Sequence, residues 1–250
     1  ALPSGKNPVK ARILVYLWTE TVLKGTEMGP EHGIRGADSL DNNIKLIWSV
    51  ASNILVNQHG NINRTVEILK DPDLLDFIIV QDNFLTPSAK YADLVLPACT
   101  QFETWGIEDG WKYGEEVFLT PQIVEPPFET KSDYSICAGL AERFGIYDKF
   151  TEGGRTEKDW VAWFVDEIYR KTRFPDMPPF RKFAASNAGV YSKPVNKPRV
   201  AFTDFVKDPE NKPLNTPSGK IEIFSTELHN AGQPDEVPAV PKYIREWDNP

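Results

Sequence analysis

The chain has 250 residues, 40% of them hydrophobic and 12% aromatic, with 28 Lys and Arg against 36 Asp and Glu for a net charge of −8. This is the composition of a globular chain with a real core. Its acidity excludes nonspecific nucleic-acid binding, which needs a basic surface, and no apolar run approaches the roughly 20 residues that span a bilayer.

The first apolar run, ARILVYLW over 11–18, reads as a strand because of its density and its β-branched members. Glycines and a proline between 19 and 43 break any long element. IKLIWSV (44–50) reads as a second strand, apolar throughout and so expected to be buried on both faces, as in a parallel sheet. NRTVEILKD (63–71) has the spacing of a helix, and FIIV (77–80) reads as the next strand. Thr86 is placed to cap a short helix to Ala92, with Pro87 at its first position. LVLP (94–97) closes the series. Strands alternating with helices across short links predict an α/β layer, mostly parallel, with helices on both faces in the manner of a dinucleotide-binding domain.

After Pro97 the texture changes. A hairpin-like pair is expected around VFLTPQIV (117–124). DYSICAGLAERFGI (133–146) is amphipathic, capped by Ser132 or Asp133 and ended by Gly145. EKDWVAWFVDEIYRKTR (157–173) is a second helix, capped by Thr156. Five prolines between 174 and 199 predict an extended connector, followed by short strands at 199–205 and 220–226. The expected organisation is an α/β region over 1–130, a smaller mixed α+β extension over 131–226, and a tail over 227–250. The chain does not begin with Met and both ends read as cut, so a piece of a longer protein is expected.

The chemistry-bearing residues are few. Asp82 closes a strand at the carboxyl rim of the sheet, where ligands bind in open α/β folds. A carboxylate there accepts hydrogen bonds from ribose hydroxyls or from the N–H edge of guanine; equally, it caps a turn. Asn53 follows the second strand at a comparable height, and its carboxamide both donates and accepts, for a ligand or for an Asx-turn. NQHGN (57–61) precedes a helix start, a natural anion position. His59 has no second His or Cys at ligand spacing, so metal binding is not expected there. Glu103, Glu108 and Asp109 are carboxylates in one loop. Two cysteines, Cys99 and Cys137, exclude a zinc or iron–sulfur site built from this chain's cysteines alone and are expected as buried thiols rather than a disulfide. There is no GxGxxG, no P-loop and no nucleophilic triad.

NILVNQHGNINRTVEIL and DFIIVQDNFLTPSAKYADLVLPACTQFE together resemble the central region of the catalytic subunit of dimethyl sulfoxide reductase-type molybdenum oxidoreductases. The resemblance rests on Asn53, Gln58, Asp82, the turn Thr86-Pro87-Ser88-Ala89 and the strand Ala92-Asp93-Leu94-Val95-Leu96-Pro97, and it extends over roughly residues 15 to 226. WTETVLKGTEM, GIRGADSLDNNIKLIW and TPSGKIEIFS are similar to segments of the sulfoxide-reducing branch. The resemblance implies a bis(molybdopterin guanine dinucleotide) molybdenum cofactor held between α/β domains. Asp82 with Gln81 would sit at the guanosine end of one dinucleotide, and Asn53 and Asp133 would lie at further cofactor positions. It also implies a 4Fe-4S cluster and the molybdenum ligand before this stretch, and a final domain after it. Its expected partners are the remaining domains of the same polypeptide, an iron–sulfur electron-transfer subunit and a membrane anchor, in the periplasm or at the outer face of the cytoplasmic membrane. Glu103 is followed by Thr104 where some relatives carry lysine. A noncatalytic α/β nucleotide-binding or interaction module is the alternative.

Overall fold

Strands β1 (Leu46–Val50), β2 (Phe77–Asp82) and β3 (Leu94–Pro97) form a parallel sheet in that order. Val50 lies opposite Gln81, and Asp82 opposite Pro97. The structure is a computed structural model describing residues 7–57, 60–110, 114–186, 189–193 and 200–245. It divides between Pro194 and Val195 into two units.

In the first unit, helices α1 (Trp18–Lys24), α2 (Ile54–Asn57) and α3 (Ile62–Lys70) accompany the parallel sheet. Trp18, Val22, Leu55, Ile68 and Leu69 pack with Ile78 and Val80 into one core. Burying each large aliphatic side chain here stabilises the unit by about 1.5–3 kcal/mol. Asn61 caps α3, accepting from the Arg64 amide at 3.1 Å.

A second, antiparallel sheet follows, formed by β4 (Gly106–Asp109), β5 (Glu116–Thr120) and β6 (Val190–Ser192) with β5 in the middle. Helices α4 (Asp133–Arg143) and α5 (Tyr147–Thr151) lead to a long helical run. In that run α6 (Glu157–Trp163) passes through a π-helical segment, Phe164–Tyr169, into α7 (Arg170–Thr172). Val161, Val165 and Tyr169 of this run meet Val117 and Leu119 of β5, with Phe174, Met177 and Phe183 of α8 (Phe180–Ala184) closing the second core. The second unit holds α9 (Thr203–Lys207) and α10 (Thr226–Asn230). No helix among the described residues is long and apolar enough to cross a membrane.

Several local expectations fail for identifiable reasons. Residues 11–18 do not form a strand: apart from one Arg12–Arg35 bridge, the run turns into a 3₁₀ segment at Val15–Leu17 and then α1. Trp18 and Val22, four residues apart, both enter the first core, a helical spacing that the dense apolar run conceals. The strand at 44–50 is not buried on both faces, since Leu46 is 54% exposed and Val50 45%. The helix expected at 86–92 is one 3₁₀ turn, Ser88–Tyr91. The partner of the strand at 117 is β4, upstream, not residues 121–124. The connector from 174 contains α8 and β6, while residues 187–188 and 194–199 lie outside the described ones. The runs at 199–205 and 220–226 form no strand among the described residues. The first gives α9, and Ile221 and Ile223 of the second stand 74% and 76% exposed with no ladder to join.

Candidate cofactor-binding site

Three chain segments leave the parallel sheet at its carboxyl rim. The first turns sharply after β1, with Ala51 at φ +48° and its amide donating to the Gln81 carbonyl at 2.9 Å. The second is the end of β2. The third is β3, extended by one residue, because Ala98 bridges Lys131 in parallel. Lys131 N–H donates to the Pro97 carbonyl at 3.1 Å and Cys99 N–H to the Lys131 carbonyl at 3.0 Å. That bridge delivers Ser132, the cap of α4, and Asp133, its first residue, to the rim.

Side chains alternate along β2. Ile78 and Val80 enter the first core, so Asp82 continues on that side, while Gln81 turns to the opposite face. Gln81 is 2% exposed, and its Nε2 donates to Asp133 Oδ1 at 2.6 Å. A carboxylate only accepts, so this bond fixes the amide's orientation. Gln81 Oε1 is therefore left as a buried acceptor with no donor among the described residues. Trp48, on the same sheet face, likewise has a buried indole N–H without an acceptor.

Asp82 is half-buried and accepts the Phe84 amide on Oδ1 at 3.0 Å, an Asx-turn that steers the chain off the strand. Its Oδ2 makes no hydrogen bond among the described residues. The rim thus presents one open carboxylate oxygen beside one committed one. Asn53 serves a local purpose: its Oδ1 accepts both the Ser88 amide at 3.0 Å and the Ser88 hydroxyl at 2.8 Å. Ser88 is fully buried and opens the 3₁₀ turn whose Ala89 belongs to the first core. So the structure joins Gln81 to Asp133, ties Asn53 to the turn after β2, and leaves Asp82 half-buried at the strand end with Oδ1 committed to Phe84. No hydrogen bond among the described residues connects Asn53 with Asp82. Gln58 and His59 lie outside the described residues.

Ser88 is the positioning residue that sequence reasoning passed over, inside a motif read as a helix start, whereas Ser132 caps α4 as expected. Cys99 and Cys137 are free, partly buried thiols, each held above the usual thiol pKa by burial first and by nearby carboxylates second. Among the described residues no group of three or more His, Cys, Asp or Glu stands ready to hold a metal ion.

Residues 20–143, which span this whole rim, match the family described as molybdopterin oxidoreductase. The chain belongs to the molybdopterin oxidoreductase family. Dimethyl sulfoxide reductase DmsA of Haemophilus influenzae is 42% identical over 231 residues, covering 91% of this chain and 28% of that protein. DmsA of Escherichia coli is 38% identical over 243 residues, covering 95% and 29%. The dimethyl sulfoxide/trimethylamine N-oxide reductase of Cereibacter sphaeroides is 36% identical over 221 residues, covering 86% and 26%. The fold is shared with acetylene hydratase from Pelobacter acetylenicus, at TM-score 0.54 and 23% identity over 84% of this chain and 25% of that one. This molybdopterin oxidoreductase chain spans about 28–32% of the length of the first curated relatives it matches. The family match supports a molybdopterin cofactor, and the acceptors at the rim fit the donor-rich edge of a pterin or purine ring.

Proposed function

We propose that this chain is the cofactor-binding centre of an anaerobic molybdenum oxidoreductase that reduces dimethyl sulfoxide or a related S- or N-oxide. The observation that carries the reading is the open carboxylate oxygen of Asp82 at the rim of a parallel sheet, inside the family's own stretch. The activity is that of the named relatives, which include dimethyl sulfoxide and trimethylamine N-oxide reductases. In the net reaction an oxide accepts two electrons and two protons and leaves as the sulfide or amine plus water.

The finer form of the cofactor is bis(molybdopterin guanine dinucleotide), and the α/β layer acts as its dinucleotide-binding wall. When bound, the molybdenum centre supplies the oxygen-atom transfer; this chain binds and orients. Asp82 holds guanine through the N1–H and N2–H₂ donors, with Oδ2 free to accept and Oδ1 shared with the Phe84 amide. Gln81 positions Asp133 from below, and Asp133 offers its second oxygen at the start of α4. Asn53 fixes the height of the 88–91 turn that walls the same rim. On this reading the catalytic metal ligand and a 4Fe-4S cluster belong to other parts of the polypeptide. The region 1–130 is the dinucleotide wall, 131–226 its extension and 227–250 the passage to a further domain. The exposed Leu46, Phe77 and Leu94, on one face of the parallel sheet, support packing against those remaining domains. An iron–sulfur electron-transfer subunit and a membrane anchor complete the assembly, at the outer face of the cytoplasmic membrane.

The test uses the full-length protein. Asp82→Ala is expected to lower molybdenum per polypeptide and dimethyl sulfoxide reduction by reduced viologen dye in parallel. Unchanged metal content would remove Asp82 from the site, and absence of S- or N-oxide reduction by the metal-replete wild type would remove the proposed activity.

A further inference from the structure

A second concave site lies between β4 and helices α4, α5 and α6. It has a volume of about 490 Å³ and is lined by Trp105, Tyr134, Phe150, Glu157, Trp160 and Phe164, among others. That is the size range of small-molecule pockets. The walls are aromatic and held rigidly. Tyr134 stacks on Phe150 with ring centroids 5.5 Å apart, its hydroxyl donates to the Arg155 carbonyl at 2.6 Å, and the Trp160 indole N–H donates to that same hydroxyl at 3.3 Å. The polar tips of Tyr134 and Trp160 are therefore already used, and what they offer a ligand is ring surface.

Glu157 is the acid in this wall. It is half-buried as the first residue of α6 and forms no ion pair among the described residues. Burial is the main influence on its carboxyl and raises its pKa; the Ser132 hydroxyl opposes this and the Asp133 charge adds to it. Two cations of the chain itself already lie over rings of this wall. Arg155 pairs with Glu152 at 2.7 Å and lies 4.7 Å from the centroid of Trp160, and Lys158 lies 4.8 Å from that of Trp105. Each of these rings therefore already attracts a cation on one face, as the ring quadrupole favours. A dinucleotide phosphate is a poor occupant, because Glu157 and Asp133 would repel it.

We propose that this cleft binds a small organic cation of the substituted-ammonium class, with Glu157 as its counter-charge and the rings of Trp105, Trp160 and Phe164 as its cage. Quaternary ammonium groups are recognised by this combination of aromatic faces and a desolvated charge partner. The proposal does not rest on the cofactor reading, although Ser132 and Asp133 adjoin both sites.

The test is a titration of the full-length protein with choline at constant ionic strength, followed by tryptophan fluorescence, alongside its neutral carbon isostere dimethylbutanol. Saturable quenching by choline is expected, with the isostere binding about tenfold more weakly or less. Glu157→Gln should weaken choline about tenfold, the scale of one lost charge-assisted contact, and leave the isostere unchanged. The wild-type comparison of the two ligands needs no variant, so it decides the matter even if Glu157→Gln misfolds. Absence of saturable choline binding, equal binding of the isostere, or a folded Glu157→Gln protein that keeps wild-type affinity would each overturn the proposal.

Discussion

The Gln81–Asp133 bond can be tested by two substitutions with opposite expected results. Gln81→Leu removes a hydrogen bond to a charged group, worth about 1.5–3 kcal/mol, but also removes the orphaned Oε1, whose burial costs about 1–3 kcal/mol. Asp133 is exposed at the start of α4 and regains water. The two effects offset, and the leucine protein should lie within about 1 kcal/mol of wild type. Gln81→Glu instead places a second carboxylate where the amide now sits 2.6 Å from Asp133 Oδ1. Two carboxylates about 3 Å apart repel by about 5 kcal/mol at an effective dielectric of about 20. Protonation caps that cost, since neutralising a glutamate of ordinary pKa costs about 3.7 kcal/mol at pH 7 and about 1 kcal/mol at pH 5. The glutamate protein should therefore be less stable by about 2–4 kcal/mol at pH 7, with the deficit shrinking towards about 1 kcal/mol at pH 5. Urea titrations at the two pH values measure this. A glutamate variant matching the leucine variant at pH 7, or a deficit that does not close on acidification, would refute the placement of Gln81 against Asp133.

Asn53→Ala strips the acceptor from both the amide and the hydroxyl of the fully buried Ser88 and should destabilise by about 2–3 kcal/mol in the same urea assay, whereas Asn53→Asp keeps the acceptor and should cost less. The Tyr169 phenol is pushed up from 10.0 to about 12, first by burial and then by Asp109, to which it donates at 3.2 Å. A raised folded-state pKa means that its contribution is present below pH 10 and lost as pH rises through 12. Tyr169→Phe should flatten the decline of stability across that interval.

The parallel sheet was legible because LIWSV, FIIV and LVLP are short apolar runs set apart by turn residues. The caps Ser132 and Thr156 were legible because a side-chain oxygen before an amphipathic run has one economical use. What failed were places where tertiary context overrides pattern. Residues 11–18 gained only one bridge to Arg35, and the run ended in a 3₁₀ segment and α1, where Trp18 and Val22 share the buried face. KIEIF alternates as a strand should, yet no ladder partner exists among the described residues. At the rim, sequence located Asn53, Gln81, Asp82 and Asp133 through a family resemblance, but not their division of labour. Which acceptor is spent on Ser88, and which amide is spent on Asp133, depends on contacts between residues 35 and 52 positions apart.

The measurement closest to the central claim is the guanine content of purified full-length Asp82→Asn protein, released by acid and quantified per polypeptide. Asparagine keeps the Oδ1 acceptor for the Phe84 amide, so the turn stands, while an NH₂ donor replaces Oδ2 opposite the donor edge of guanine. The loss of that acceptor, worth at least about 1.4 kcal/mol, should weaken retention of the dinucleotide about tenfold or more and so lower guanine content per polypeptide. Wild-type guanine content in a normally folded Asp82→Asn protein would contradict the account.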